Sequence, residues 1–330
     1  MRLCSVTIMR DTESNEADAA IESALPLVDA CLRVKAGEIT DFSAARNAAL
    51  QEAADLDYDW ALMLDTDERI HDHERIMKTW DRLEDTTHDM LHVWAHDHSY
   101  AKPRFFRLPA RGHYTGGTHE CWVSDPGSTT GTLEGITFSE LPKTEAQYRA
   151  KAERDREILE KYTQDHPDDP RWWYYLGDTY SGLGDDAKAL DAFARCYFRN
   201  GWDEESAWAC YRQAEILCKE NDYQMALAWC CNGMRRHPGM AELPWLAGYC
   251  CFKMGRFQHA IWWEEMAIAL NDAEAHTHRI NFRHEPALHE GPFDVVRYAY
   301  EQLGDKESGE QATEFFELEL EARLDKSRAT

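Results

Sequence analysis

The sequence predicts an α/β domain over residues 1–143 followed by an all-α domain of helical repeats over 144–330. Short apolar, β-branched runs alternate with helical periodicity in the first part. Helix-pair spacing recurs through the second. A length of 330 residues suits two domains of ordinary size.

The elements follow in order. LCSVTIM (3–9) reads as a buried strand. ADAAIESALPLVDACLRV is a helix leading into a second strand near 30–34. SAARNAALQEAA (43–54) is an Ala-rich helix with Ser43 placed to cap it. WALMLDTDE (60–68) is an apolar strand that stops in acids, and MLHVWAHDHSY (90–100) alternates as a half-buried strand does. Strands alternating with helices predict a sheet of parallel strands. SDPGSTTGTLEG (124–135) is turn-rich and reads as a loop.

A charged helix (144–162) joins the parts. In WYYLGDTYSGLGDDAKALDAFARC (173–196), Trp173, Leu176, Gly177, Tyr180, Gly184, Ala189 and Phe193 stand at the spacings of a tetratricopeptide repeat. The stretches 207–238 and 244–270 follow the same plan more loosely, and 295–312 is a degenerate last unit. Small residues let paired helices approach, and each unit needs a neighbour to cover its apolar side. Of Trp172, Trp173, Tyr174 and Tyr175, most should be core and a minority could face a partner.

Composition narrows the function. The formal net charge is −25, which disfavours a nucleic-acid partner. No apolar run reaches the ~18 residues of a membrane span. MRLCSVTIMRDTES has no basic region before an apolar stretch, so no signal peptide and a cytoplasmic location are expected. The ten cysteines include no CxxC pair; seven fall between 196 and 251 and read as reduced, buried thiols.

The strongest chemical signal is LMLDTDE (62–68). Asp65 and Asp67, at i and i+2 on a strand end, point the same way at the carboxyl edge, where open α/β sheets bind ligands. Two close carboxylates repel unless a cation neutralises them, and hard divalent ions prefer such oxygen ligands. In an acidic chain the plain reading is a solvated strand end. His71 and His73 follow, and His92, His96 and His98 would share a face with Trp94 if 90–98 is a strand. That is either a mixed metal site or a polar strand face.

Three further segments give this pair a context. DFSAARN (41–47) precedes it, and PRFFRL (103–108) and YTGGTHE (114–120) follow. In this order the four segments resemble the inverting family-two glycosyltransferases of the GT-A fold. The attached repeats resemble a subgroup that joins a GT-A domain to tetratricopeptide units, with the bacteriocin S-glycosyltransferases among its relatives. The resemblance implies a shortened GT-A (Rossmann-like) nucleotide-sugar domain and metal-dependent glycosyl transfer. Asp65 and Asp67 would bind Mn²⁺ or Mg²⁺ and, through it, the diphosphate of a nucleotide-sugar donor. Arg46 and Asn47 would shape the donor pocket. Glu120 would be the general base and His119 a metal ligand or its support. The two neighbours would point oppositely if they lie on a strand. The repeats would hold a protein or peptide acceptor.

Two stretches depart from that family. A V-D-x-G-S-x-D segment with a base-contacting Asp is missing between the second strand and Asp41, and a His near the linker is replaced by GITFSE (135–140). The alternative readings are a non-catalytic repeat protein with a relic first domain, a transferase acting on modified nucleic-acid bases, and a metal-dependent hydrolase.

Overall fold

The computed structural model describes residues 1–10, 13–35, 41–71, 76–98, 100–199, 201–273 and 282–329. The chain divides into two compact units, Met1–Ile158 and Leu159–Thr330.

The first unit runs β1 (Leu3–Met9), α1 (Ser14–Ala24), β2 (Ala30–Lys35), α2 (Phe42–Asp55), β3 (Trp60–Leu64), β4 (Glu68–His71), α3 (Ile76–Asp85), β5 (Met90–Ala95), β6 (Ala101–Arg107), β7 (Gly112–Thr115), β8 (Cys121–Ser124) and β9 (Thr130–Glu140), and α4 (Glu145–Asp165) contains the boundary between the units. Among the described residues seven strands form one sheet in the order β2-β1-β3-β6-β5-β9-β4, and β7 and β8 form a separate antiparallel ribbon.

The sheet is mixed, which corrects the expectation of parallel strands. β1 runs parallel to β2 and β3, and β5 parallel to β9, but β6 runs antiparallel to β3 and β5, and β4 antiparallel to β9. Helices α1 and α2 make the crossovers among β1, β2 and β3, whereas the parallel pair β5 and β9 is connected through β6, β7 and β8; β5 and β6 lie too close in sequence for anything but an antiparallel return. The stretch 124–135 is corrected too. Only 125–129 lie between strands, and 130–135 begin the eleven-residue β9.

Period-two alternation sorts the core into two faces. Trp60, Leu62, Leu64 and Phe105 pack with Leu27 and Leu83 on one side. Ala61, Met63 and Phe106 pack with Ala49, Leu50 and Tyr114 on the other. Every residue of β3 is buried, as a central strand covered on both faces must be. This rigid strand delivers Asp65 to the sheet edge.

The second unit contains α5 (Pro170–Gly182), α6 (Asp186–Phe198), α7 (Asp203–Lys219), α8 (Tyr223–Arg236), α9 (Glu242–Lys253), α10 (Phe257–Asp272), α11 (Glu285–Leu288), α12 (Gly291–Leu303) and α13 (Lys306–Ala329). The pairs α5/α6, α7/α8 and α9/α10 match the three expected repeats. Asp169, Asp185 and Asp222 cap α5, α6 and α8 with side-chain acceptors. A Cβ at Gly177 would lie 2.7 Å from the Phe193 ring, so only glycine admits this approach of α5 to α6. Trp172 and Tyr174 are buried, while Trp173 and Tyr175 are partly so. Of the seven cysteines between 196 and 251, five are buried, and Cys218 and Cys231 are half-buried; the Cys218 and Cys250 sulfurs approach to 3.4 Å.

Candidate functional site

The N-terminus of α2 is capped by Asp41, not Ser43. The Asp41 carboxylate accepts from the Ala44 amide at 2.9 Å and from the Ser43 hydroxyl at 2.8 Å. Ser43 is thus the cap's hydrogen-bond partner, because extended backbone falls two residues earlier, at Asp41. The Phe42 amide donates to the Gly117 carbonyl at 2.8 Å, which ties the helix start to the loop after β7. Further along, Asn47 donates to the Tyr114 carbonyl and accepts from the Tyr114 amide. Its amide is therefore consumed in docking α2 on β7, and among the described contacts it positions the pocket wall.

Arg46, one residue earlier, faces the sheet edge. Its Nη2 reaches Asp65 Oδ1 at 2.6 Å and its Nε reaches Glu120 Oε1 at 2.5 Å. Arg104, on β6, donates to the other Asp65 oxygen at 3.1 Å and to Glu68. Glu68 is fully buried and accepts from the Asp65 amide at 3.1 Å and from Lys102 at 3.0 Å. Burial pushes the Asp65 carboxyl up, but the charges of Arg46, Arg104 and Lys102 outweigh it and hold the group below the ordinary carboxylate range. Both Arg46 and Arg104 are raised above the usual guanidinium value, since facing carboxylates outweigh their desolvation.

His119 and Glu120 lie in the loop between β7 and β8, not on a strand. His119 has a left-handed φ of 51°, so the opposition expected of strand neighbours does not apply, and both residues line the same cleft. His119 Nε2 stands 3.7 Å from Asp155, a buried acid that also pairs with Lys151 and Arg154 at 2.7 Å. Asp67 pairs with Lys143.

The expected metal ligands Asp65, Asp67 and His119 all line this cleft, but each is engaged by a group of the chain itself. Asp65 is the counter-ion of two arginines, Asp67 meets a lysine, and His119 turns to Asp155. Among the described residues no group of three His, Cys, Asp or Glu side chains is placed to hold a metal ion. The donor set as arranged does not fit such an ion, and the reason is electrostatic: its negative charge is already matched by the chain's own cations.

The histidine expectation is corrected as well. β5 ends at Ala95, and His96 and His98 lie in the turn beyond it, His98 with φ 56°. His92 Nδ1 stands 3.3 Å from the Gly131 carbonyl, His96 Nδ1 3.2 Å from the Thr137 hydroxyl, and His71 Nε2 2.6 Å from the Ser139 hydroxyl. His73 lies outside the described residues.

The cleft around Arg46, Asp65 and Glu120 encloses about 790 Å³, within the range of small-molecule sites. Arg10, Lys143, Lys151 and Arg154 line it and are partly exposed. With Arg46, Lys102 and Arg104 they make seven cations beside five carboxylates, Glu13, Glu16, Asp65, Asp67 and Glu120, so the described lining carries a small positive excess in a chain of net charge −25. The sequence reading gave no role to Arg104, Glu68, Lys102 or Lys143. Arg104 and Glu68 stood inside the quoted motifs, and charges in otherwise apolar strands were the available signal. Lys143 had none, because it reaches Asp67 across 76 positions of chain.

No protein-family model matches the sequence, and no curated protein matches it. Among solved structures, a MamA RS-1 double mutant is 18% identical with a TM-score of 0.43, covering 54% of this chain and 89% of its own. A MamA crystal structure is 16% identical with a TM-score of 0.42, covering 57% and 99%. MamA from Desulfovibrio magneticus RS-1, from residue 41 onward, is 19% identical with a TM-score of 0.41, covering 56% and 90%. The likeness concerns the C-terminal helical region and assigns neither family nor activity. No described helix is long and apolar enough to cross a membrane.

Proposed function

We propose that the first unit is a glycosyltransferase module that takes a nucleotide-diphosphate sugar, and that the helical repeats take a polypeptide acceptor. One observation carries the reading: Arg46 joins Asp65 to Glu120, so three segments of the resembled family, distant in sequence, meet in one cleft. The cleft lies past the carboxyl ends of the parallel strands β1 and β3, the place where open α/β sheets take ligands.

In this reading Glu120 accepts the proton of an acceptor hydroxyl or thiol as that atom bonds to the anomeric carbon. The bond from that carbon to the donor's diphosphate breaks, and the departing negative charge rests on the cations lining the cleft. Arg46 holds Glu120 in place, and Asp65 holds Arg46 and Arg104. No step is routed through a metal ion.

The saturation of Asp65 by two arginines also favours a second reading, a nucleotide-binding or interaction module without catalysis. Calorimetry with a panel of nucleoside diphosphates, with Mn²⁺ and with chelator, separates the possibilities. Binding of one nucleotide in both conditions supports the cationic cleft. Binding only with Mn²⁺ restores the metal dependence that the resemblance implies. Absence of binding removes the donor site. A transfer assay on a nucleotide-binding protein then decides between catalysis and binding.

A further inference from the structure

The first helices of the three repeats, α5, α7 and α9, pack successively on one another. Their side chains converge on a short piece of the same chain. The Phe282 ring lies 5.1 Å from Tyr174 of α5 and stacks 5.8 Å from Trp208 of α7. The His284 ring stacks 5.0 Å from Trp245 of α9 and lies 6.1 Å from Tyr211 of α7. Arg283, between them, is exposed.

The backbone is held too. The Phe282 amide lies 3.4 Å from Glu204 Oε1, and the His284 amide donates to Glu242 Oε1 at 3.2 Å. Both carboxylates are buried, at 4% and 0% exposure. Residues 282 and 284 therefore turn their side chains inward and present their amides to fixed acceptors, while 283 turns out. This i, i+2 pattern is how a groove reads an extended peptide: main-chain bonds supply generic affinity and alternate side-chain pockets supply choice.

The geometry points to a peptide-docking groove on α5, α7 and α9, selective for an aromatic residue followed two positions later by His or another ring, and occupied in cis by Phe282–His284. A polypeptide carrying that pattern docks by displacing the chain's own segment. Tethering gives the internal segment a high effective concentration, so the intact protein is a poor acceptor of short peptides and opens only to a better or multiply anchored partner. The inference rests on the acceptor half of the proposed function, that the repeats take a polypeptide, and is independent of the transfer chemistry.

The test uses the full chain and a fluorescein-labelled peptide of its own residues 279–287, RINFRHEPA, followed by fluorescence anisotropy without any donor. Wild type is expected to bind weakly. Phe282→Ala/His284→Ala is expected to bind at least tenfold more tightly, a scrambled peptide not at all, and adding Glu204→Gln and Glu242→Gln to weaken the interaction again. His284→Ala alone should give an intermediate affinity. Peptide binding by the folded double variant no tighter than by wild type overturns the proposal. So does loss of the helical circular-dichroism signal in both the double and the single variant, because the segment is then core. Failure of transfer with groove binding intact counts against the chemistry alone.

Discussion

Asn47 and Tyr114 exchange two hydrogen bonds across α2 and β7, one in each direction, at 2.8 and 2.7 Å. A side-chain amide here does what a neighbouring strand does elsewhere: it satisfies one backbone donor and one acceptor of Tyr114. Asn47→Ala leaves both without a partner and is expected to cost about 1–3 kcal/mol. Asn47→Asp keeps the acceptor but sets an oxygen against the Tyr114 carbonyl, so it should also destabilise. Urea unfolding followed by near-ultraviolet circular dichroism measures this, and an unchanged midpoint in both variants refutes it.

Arg46 bridges two carboxylates with nitrogens set in one plane, which a lysine cannot reproduce. Arg46→Lys and Arg46→Met should each lose about 2–4 kcal/mol, the lower end allowing for the part exposure of Asp65. Combined with Glu120→Gln, the loss should be smaller than the sum of the single variants, since both changes break one contact. Additive losses show that the pair is uncoupled.

Glu120→Gln preserves size and removes the carboxylate proposed as the base. Transfer is expected to fall by about 10²–10⁴-fold while nucleotide affinity stays at the wild-type value. Undiminished turnover places the base elsewhere.

Lys143 neutralises Asp67. In Lys143→Ala this carboxylate loses its counter-ion, and the protein's affinity for Mn²⁺ alone should rise above that of wild type. Manganese titration by electron paramagnetic resonance reads the difference. Tight Mn²⁺ binding by wild type would show that the lysine yields to the ion and that the ligand set fits after all.

Glu205 of α7 has a folded-state pKa raised to about 7, because burial outweighs the Arg171 guanidinium 3.3 Å away and nearby Asp169 adds repulsion. The folded form thus keeps a proton that the unfolded chain releases near 4.5. Its contribution is complete below that value and is lost as pH rises toward 7, on the order of 3 kcal/mol in total. Glu205→Gln should flatten the decline of stability between pH 4.5 and 7 when denaturation midpoints are compared across that window.

How far the molecule could be read from its sequence depends on the range of the interactions. Gly177 against Phe193 and the Asp caps are local, and the repeat pattern reveals them. Asp65 at the end of β3 is equally legible, because a wholly apolar strand has only its end to offer to solvent. The antiparallel course of β6 was missed, since Phe105 and Phe106 alternate alike in either direction. The placement of His119 was missed because its left-handed backbone comes from a residue that carries no strong turn signal. The pairing of Lys143 with Asp67 joins residues 76 apart, and charge alone does not announce a partner at that distance.

The pairing of β9 with both β4 and β5 sets an order of events in synthesis. Among the described residues β4 has no neighbour in the sheet other than β9, so that pairing waits until residue 140 has been made and has cleared the ribosome. Until then the nascent sheet can hold β1, β2, β3, β5 and β6, with β5 open along one side to stray chains. The helix pairs of the second unit close on contacts between successive elements and meet no such delay. The first unit therefore emerges earlier but closes its sheet only once β9 has been made.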